Sequence, residues 1–237
     1  MASRNGSFHE RGIGGVLVAP VKLAAAVVLT LLGLLLVTWI VDAVMVHHVW
    51  PEGLVRLEAV LGGDLERARQ LASWCEACAG LPGRTARILY ALLFELTGLH
   101  EMGIRFADRA ELSVPDTIVR STYIEHFEAI RVAMVGTKLF GVRLAMLVTA
   151  FPLLSLLYAV ALADGLVQRA IRRASGGRES ASLYHRAKHL QVVALAFGVT
   201  VTLVWPGPVS PSWVWIPTAV FVAGLARVQW TYYKKHT

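Results

Sequence analysis

Residues 144–163 read LAMLVTAFPLLSLLYAVALA, a run of twenty residues without one charged side chain. Arg143 stands immediately before this run and Asp164 immediately after it. Twenty residues of α-helix extend about 30 Å, which matches the hydrocarbon thickness of a bilayer. The run therefore predicts a membrane-spanning helix that ends at these two charged residues.

Three further uncharged runs cover residues 23–40, 190–205 and 212–226. The last two are short, and the segment PGPVSP at 206–211 between them is a helix breaker, so together they predict a helical hairpin. The chain is 56% hydrophobic and 16% charged, with a mean hydropathy of +0.57. Because its apolar residues are clumped, the sequence favours an all-α membrane protein with four spans over a soluble protein with a buried hairpin.

Basic residues are distributed unevenly between the four spans. Residues 1–22, 164–189 and 227–237 together hold twelve basic and three acidic side chains, whereas residues 42–143 hold eleven basic and thirteen acidic ones. Lysine and arginine are enriched in the cytoplasmic segments of membrane proteins. The basic segments are therefore predicted to be cytoplasmic, with both termini inside.

The first uncharged run is interpreted as a signal-anchor, because it is longer than the apolar region of a cleaved signal peptide. The predicted organisation is a basic cytoplasmic N-terminus (1–22), a first transmembrane helix (23–41), a helical extracytoplasmic region (42–143), a second transmembrane helix (144–163), a basic cytoplasmic loop (164–189), a third transmembrane helix (190–205), an extracytoplasmic turn (206–211), a fourth transmembrane helix (212–226) and a cytoplasmic tail (227–237).

The extracytoplasmic region shows apolar residues at helical spacing. A helix is predicted over 53–79, and the stretch TARILYALLFELTGL at 85–99 predicts a packed or interfacial helix. A fifth span at 85–99 is the alternative, but it would break the even number of spans and the charge rule. No breaker separates the helix that starts near Pro115 from the second span, so one continuous helix is expected there.

Two cysteines, Cys75 and Cys78, form a Cys-x-x-Cys pair in this region. In an oxidising compartment such a pair can close a small disulfide or exchange with other thiols. Two free thiols are the other interpretation. Redox catalysis is disfavoured, because catalytic pairs of this spacing belong to a βαβ scaffold of which the sequence has no sign.

The most basic stretch is DGLVQRAIRRASGGRESASLYHRAKHL at 164–190, between the second and third spans. Anionic headgroups, a cytoplasmic protein and nucleic acid are its three candidate ligands. Headgroups explain the charge. The Gly176–Gly177 pair, which predicts a turn, together with Glu179 and Tyr184, fits a protein partner better. Direct contact with nucleic acid is not expected, because the loop is short and lacks a recognised fold. The candidate contact residues are Arg169, Arg172, Arg173, Gly176, Gly177, Arg178, Glu179, Tyr184, His185, Arg186 and Lys188.

Catalytic, metal and cofactor signatures are missing from the sequence. It contains no phosphate-binding glycine loop, no Gly-x-Ser-x-Gly and no His-Glu-x-x-His, and His185 and His189 lack a third metal ligand. The four uncharged runs contain no Asp, Glu, Lys, Arg or His. Asp42 and Asp164 are expected at span ends where water reaches them. We therefore predict a scaffold without enzyme activity or cofactor. A small transporter or channel is the alternative.

The basic stretch also carries a resemblance. Its elements DGLVQRAIRR, GGRES and YHRAK resemble the pattern of integrating conjugative element membrane proteins, as do HHVWPEG at 47–53 and PGRTA at 82–86. The resemblance implies a multi-pass protein of the bacterial inner membrane that belongs to a conjugative, type IV secretion apparatus. It also implies a partner in that apparatus, such as a TraD-type coupling ATPase, and it is compatible with a homo-oligomer. It provides no catalytic residues.

Overall fold

A computed structural model describes residues 13–73, 75–107, 114–176 and 181–233 of the chain. All regular structure in these ranges is helical, and four helices are long and apolar enough to cross a membrane. The predicted fold class, an all-α protein with four spans, is therefore confirmed. The helices are α1 (Ile13–Val44), α2 (Leu54–Leu71), α3 (Glu76–Ala79), α4 (Leu81–Tyr90), α5 (Leu99–Ala107), α6 (Val114–Glu125), α7 (Phe127–Ala174), α8 (Ala181–Val204) and α9 (Pro211–Thr231).

Helix α7 is the central element, and α2, α4, α1 and α9 all pack against it. Its 48 residues extend about 72 Å, more than twice the thickness of a bilayer core. It begins in the predicted extracytoplasmic region and contains the whole run 144–163. The continuous helix expected from near Pro115 is nevertheless interrupted at His126, because α6 ends at Glu125 and α7 begins at Phe127. Because it is longer than any span requires, α7 links the helices beyond one end of the apolar run to the basic residues beyond the other.

Two ion pairs lie at the ends of the uncharged run in α7. Arg143 pairs with Asp64 of α2, and Asp164 pairs with Arg227 of α9. The two α7 residues are 21 positions apart, which corresponds to about 31 Å along a helix. Since charged side chains avoid the hydrocarbon core, the two pairs define planes that match the two faces of a bilayer. We call them the outer and inner planes, following the orientation predicted from the charge distribution.

The hairpin of α8 and α9 packs closely against α7 near the inner plane. Gly165 allows this approach, because a Cβ atom there would lie 2.8 Å from the Arg227 carbonyl oxygen. Between the two helices of the hairpin, the Gln191 amide donates a buried hydrogen bond of 2.8 Å to Gln229. The predicted hairpin is thus joined to α7 by close backbone packing, and its own two helices are joined by a buried polar contact.

The predicted extracytoplasmic region forms several short helices on the outer half of α7. The single helix expected over 53–79 is interrupted, because α2 ends at Leu71 and the separate α3 begins at Glu76. The stretch 85–99 lies mostly in α4 and a following π-helical turn, Ala91–Glu95. Apolar residues of α2, α4, α7 and the π-helical turn Met45–Val49 after α1 form the cores that hold these helices, among them Val46, Leu57, Val60, Ala68, Ala86, Val132, Leu139, Val142 and Met146.

Candidate functional site

The predicted basic surface lies beyond the inner plane, where α7 ends and α8 begins. Arg169, Arg172 and Arg173 lie on the last turns of α7, and Gly176 follows with φ +71°, a left-handed conformation that glycine adopts without strain. On the first turns of α8 lie Tyr184, His185, Arg186 and Lys188. Three predicted contact residues, Gly177, Arg178 and Glu179, lie outside the described residues.

Two of the arginines stack on aromatic rings at the end of α9. The Arg172 guanidinium lies 3.9 Å from the centroid of the Tyr232 ring, and that of Arg169 lies 5.1 Å from the Tyr233 ring. A guanidinium above an aromatic face is attracted by the negative π surface. These contacts orient Arg169 and Arg172, and they join the end of α9 to the end of α7.

Tyr233 is the centre of an aromatic cluster that also reaches α8. Its ring centroid lies 5.6 Å from that of Tyr184 and 5.5 Å from that of Trp230. The Tyr184 ring also meets the ring of His185 edge-on, at 5.3 Å. Tyr184, predicted as an aromatic anchor for a partner, therefore packs against Tyr233 of the same chain and is half-buried. The cluster fixes the start of α8 against the end of α9.

Four other basic side chains of this surface, all among the described residues, are exposed. Arg173, His185, Arg186 and Lys188 are solvent-exposed, in contrast to the half-buried Arg169 and Arg172. Between Gly165 and Leu190 the sequence contains a single acid, Glu179. The result is an outward layer of positive charge mounted on two helix ends, which the aromatic cluster holds together. Such a surface can bind phosphate groups or carboxylates.

The other predicted sites lie elsewhere. Cys75 and Cys78 are joined in a disulfide at the start of α3, on the side of the outer plane. His185 and His189 are both exposed on α8. Across the described residues, no group of three or more histidine, cysteine or acidic side chains is placed to hold a metal ion.

One polar site was not recognised in the sequence, the buried pair of Asp64 and Arg143 at the outer plane. Both side chains are fully buried, and the Arg143 Nε donates to the Asp64 carboxylate at 2.8 Å. The other two guanidinium nitrogens donate to backbone carbonyls at the end of α8 and in the turn after it, those of Leu203, Trp205 and Gly207.

Asp64 completes this arrangement from the opposite side. Its carboxylate accepts a hydrogen bond of 3.1 Å from the backbone N–H of Val209, and it also pairs with Arg67 one turn along α2. The pair therefore attaches the turn between α8 and α9 to α2 and α7. The sequence signal for it was weak, because Asp64 and Arg143 are 79 residues apart and each resembles an ordinary surface charge.

Asp42 corrects a second expectation. We expected water to reach Asp42 and Asp164 at the span ends, and this is wrong for Asp42, which is fully buried. Its carboxylate lies against Gly136 of α7, and neither oxygen has a hydrogen-bond partner among the described residues. The burial arises because α1 continues helically past the predicted end of the first span and packs on the outer half of α7. Asp164, in contrast, has a side chain that is 44% exposed.

Comparison with known proteins gives one match. A protein-family model described as "IncC plasmid conjugative DNA transfer protein DtrJ-like" matches residues 79–234, which include α4 through α9 and the whole basic surface. The match spans well over half of the chain, so the chain belongs to the DtrJ-like family of conjugative DNA transfer proteins. No curated protein and no solved structure matches it.

Proposed function

We propose that this chain is a non-enzymatic accessory subunit of the bacterial inner membrane, which docks a cytoplasmic component of the conjugation machinery on its basic surface. Membership of a conjugative DNA transfer family and four candidate spans support the proposal of a subunit in a membrane-bound transfer apparatus. The partner we favour is a coupling ATPase of the TraD type, as expected for proteins related to integrating conjugative elements. Both termini and the basic surface face the cytoplasm in this proposal, following the charge distribution.

The observation that carries the docking proposal is the difference between the arginines stacked on tyrosine rings and the exposed ones. Arg169 and Arg172 are held by tyrosine rings, while Arg173 and Arg186 are exposed on the two helix ends that those contacts fix. Attraction to headgroups requires only charge near the membrane. A surface that is already rigid loses less entropy when a structured partner binds. The rigid mounting of the exposed arginines therefore favours a protein partner in addition to lipid.

The test replaces an exposed arginine by lysine, which keeps the charge but removes the planar fork that binds carboxylates in bidentate fashion. We expect Arg173→Lys and Arg186→Lys to insert normally, yet to lower DNA transfer frequency and copurification of the coupling ATPase after detergent extraction. Arg56→Lys is the matched control, since Arg56 is also exposed but lies on α2 beside Leu57, which packs with Val132 beyond the outer plane. Normal transfer and normal copurification for both test variants would refute docking and leave a charge anchor.

The same comparison extends to the residues between Gly176 and Ala181. Arg178→Lys tests a guanidinium fork at that position, and Glu179→Gln removes the only acid between Gly165 and Leu190. Loss of that acid strengthens attraction to anionic lipid but weakens a paired protein contact. Reduced transfer by Glu179→Gln with unchanged membrane insertion therefore supports the docking proposal, while unchanged transfer contradicts it.

A small transporter or channel remains the competing function, and Asp42 is the observation that favours it. Ionisable groups buried in membrane helices often belong to ion or proton paths. Asp42 lies in a helix long enough to span the membrane, but four residues beyond Thr38, whose hydroxyl bonds to the Leu203 carbonyl near the outer plane. This position places the carboxylate outside the hydrocarbon core. An ion flux into vesicles containing the purified protein, abolished by Asp42→Asn, would support the competing function.

A further inference from the structure

Helix α4 and the π-helical turn that follows it, Ala91–Glu95, present three different surfaces. One surface is buried against α7, one is exposed and apolar, and one is exposed and charged. Such an ordering around a helix is typical of helices that lie in the interface between membrane and water.

The buried surface fixes the rotation of α4. A Cβ atom at Gly141 of α7 would lie 2.6 Å from the Ala86 Cα, so the two backbones are in direct contact. The Thr85 hydroxyl donates a 2.8 Å hydrogen bond to the Gly141 carbonyl at the same point. Only one rotation of α4 satisfies both contacts, so the directions of its other side chains are determined.

A second set of contacts holds the far end of the segment. Burial raises the pKa of the Tyr90 phenol, and its hydroxyl forms a 2.8 Å hydrogen bond with His100. The Lys138 ammonium lies 4.3 Å from the centroid of the same ring. Phe94 lies 6.3 Å from Trp39 of α1, measured between ring centroids. The segment thus reaches from α7 to α1.

The exposed apolar surface consists of Ile88, Leu92 and Leu96, which are 58%, 52% and 77% exposed. They are spaced four residues apart and lie along one edge of the segment. The charged edge carries Arg84, Arg87 and Glu95, which are also exposed.

The apolar edge continues a core that belongs to the spans. At about 100° per residue, Leu89 and Leu93 lie between the apolar edge and the buried surface. Both pack on the cluster formed by Leu35, Phe140 and Leu203. The Leu203 carbonyl receives hydrogen bonds from Arg143 and Thr38, so this cluster lies at the outer plane.

We propose that Ile88, Leu92 and Leu96 insert into the acyl chains of the outer leaflet, so that α4 is an interfacial helix. The charged edge then lies at the level of the headgroups, where Arg84 and Arg87 meet phosphate groups. Lipid is the occupant that matches this geometry, because the apolar edge is continuous with the cluster at the end of the spans. The inference does not depend on the proposed docking function.

The test places a spin label at Leu92→Cys in the full-length chain, reconstituted in phosphatidylethanolamine–phosphatidylglycerol vesicles. We expect this label to be accessible to oxygen, which partitions into lipid, and shielded from a water-soluble nickel chelate. Arg87→Cys on the charged edge of the same helix is the matched control, with the opposite pattern expected. Leu96→Cys provides a second apolar position, and the unsubstituted chain measures background labelling at Cys75 and Cys78.

Two results would overturn the proposal. Strong accessibility of the Leu92 label to the nickel chelate would show that the apolar edge faces water. Protection from both reagents would show that protein, such as a second copy of the chain, covers it. Agreement between positions 92 and 96, with the reverse pattern at 87, supports insertion.

Discussion

Replacing Asp64 by alanine is the most direct test of the outer-plane site. Asp64 and Arg143 are both fully buried, so the substitution leaves a guanidinium enclosed by protein without its counter-charge. Its hydrogen bonds to the Trp205 and Gly207 carbonyls remain, but they do not neutralise it. Removing one partner of a buried ion pair lowers the free energy of unfolding by about 3–5 kcal/mol.

The matched control is Glu58→Ala, also on α2. Glu58 pairs with Arg131 of α7 at 2.9 Å, but both side chains are 46% exposed. Pairs exposed to water contribute only about 0–1 kcal/mol. Both substitutions remove an ion pair between α2 and α7, but Asp64→Ala also removes the acceptor of the buried Val209 N–H and the partner of Arg67. The difference between the two therefore measures the buried site as a whole.

The assay is thermal unfolding in detergent, followed by the fluorescence of the seven tryptophans. For a chain of this size, 3–5 kcal/mol corresponds to a fall in Tm of about 6–20 °C. The double variant Asp64→Leu/Arg143→Met replaces the pair by apolar side chains and should recover most of that loss. Equal shifts for Asp64→Ala and Glu58→Ala would refute the assignment of Arg143 as a buried, Asp64-dependent charge.

Three further predictions follow from the same contacts. Asp42→Asn should raise the free energy of unfolding by roughly 1 kcal/mol or more, because it removes a buried carboxylate without a described partner; a lower Tm would contradict this. Gly141→Val should lower the free energy of unfolding by about 1–3 kcal/mol, since the backbone of α4 lies 2.6 Å from the new Cβ. Gly83→Val, with open space around it, should have little steric effect, and equal losses for the two variants would argue against the close contact. Reporter fusions near Glu101 and after Thr237 should report periplasm and cytoplasm respectively, and a cytoplasmic signal at Glu101 would overturn the proposed orientation.

The sequence predicted those features that depend on local composition. The run 144–163 specifies a spanning helix by itself, and the absence of a breaker before it indicated a helix that extends beyond the run. The sequence did not indicate the interruption at His126 that separates α6 from α7. The break after Leu71 was missed because the apolar spacing of α2 fades gradually, without a proline or glycine at that point. Local pattern alone cannot locate the end of such a helix.

The features that sequence could not predict depend on contacts between distant segments. Arg169 and Arg172 look equivalent to Arg173 in the sequence, yet only the first two stack on rings, because Tyr232 and Tyr233 come from the far end of the chain. The burial of Asp42 depends in the same way on where α1 meets α7. Such pairings need the helix packing, which the periodicity of one segment does not specify.

The two ends of α7 use charge in different ways, and this difference locates the function. At the outer plane, the charges of Arg143 and Asp64 are enclosed and their hydrogen-bonding groups are directed at each other and at the turn. Such a site holds helices together but leaves few hydrogen-bonding groups available to a ligand. Beyond the inner plane, the arginines are either stacked, which orients the helix ends, or exposed, which leaves their donors available. Partner binding is therefore expected where charged side chains are held in place but keep hydrogen-bond donors exposed. In this chain that is the basic surface at Arg173 and Arg186.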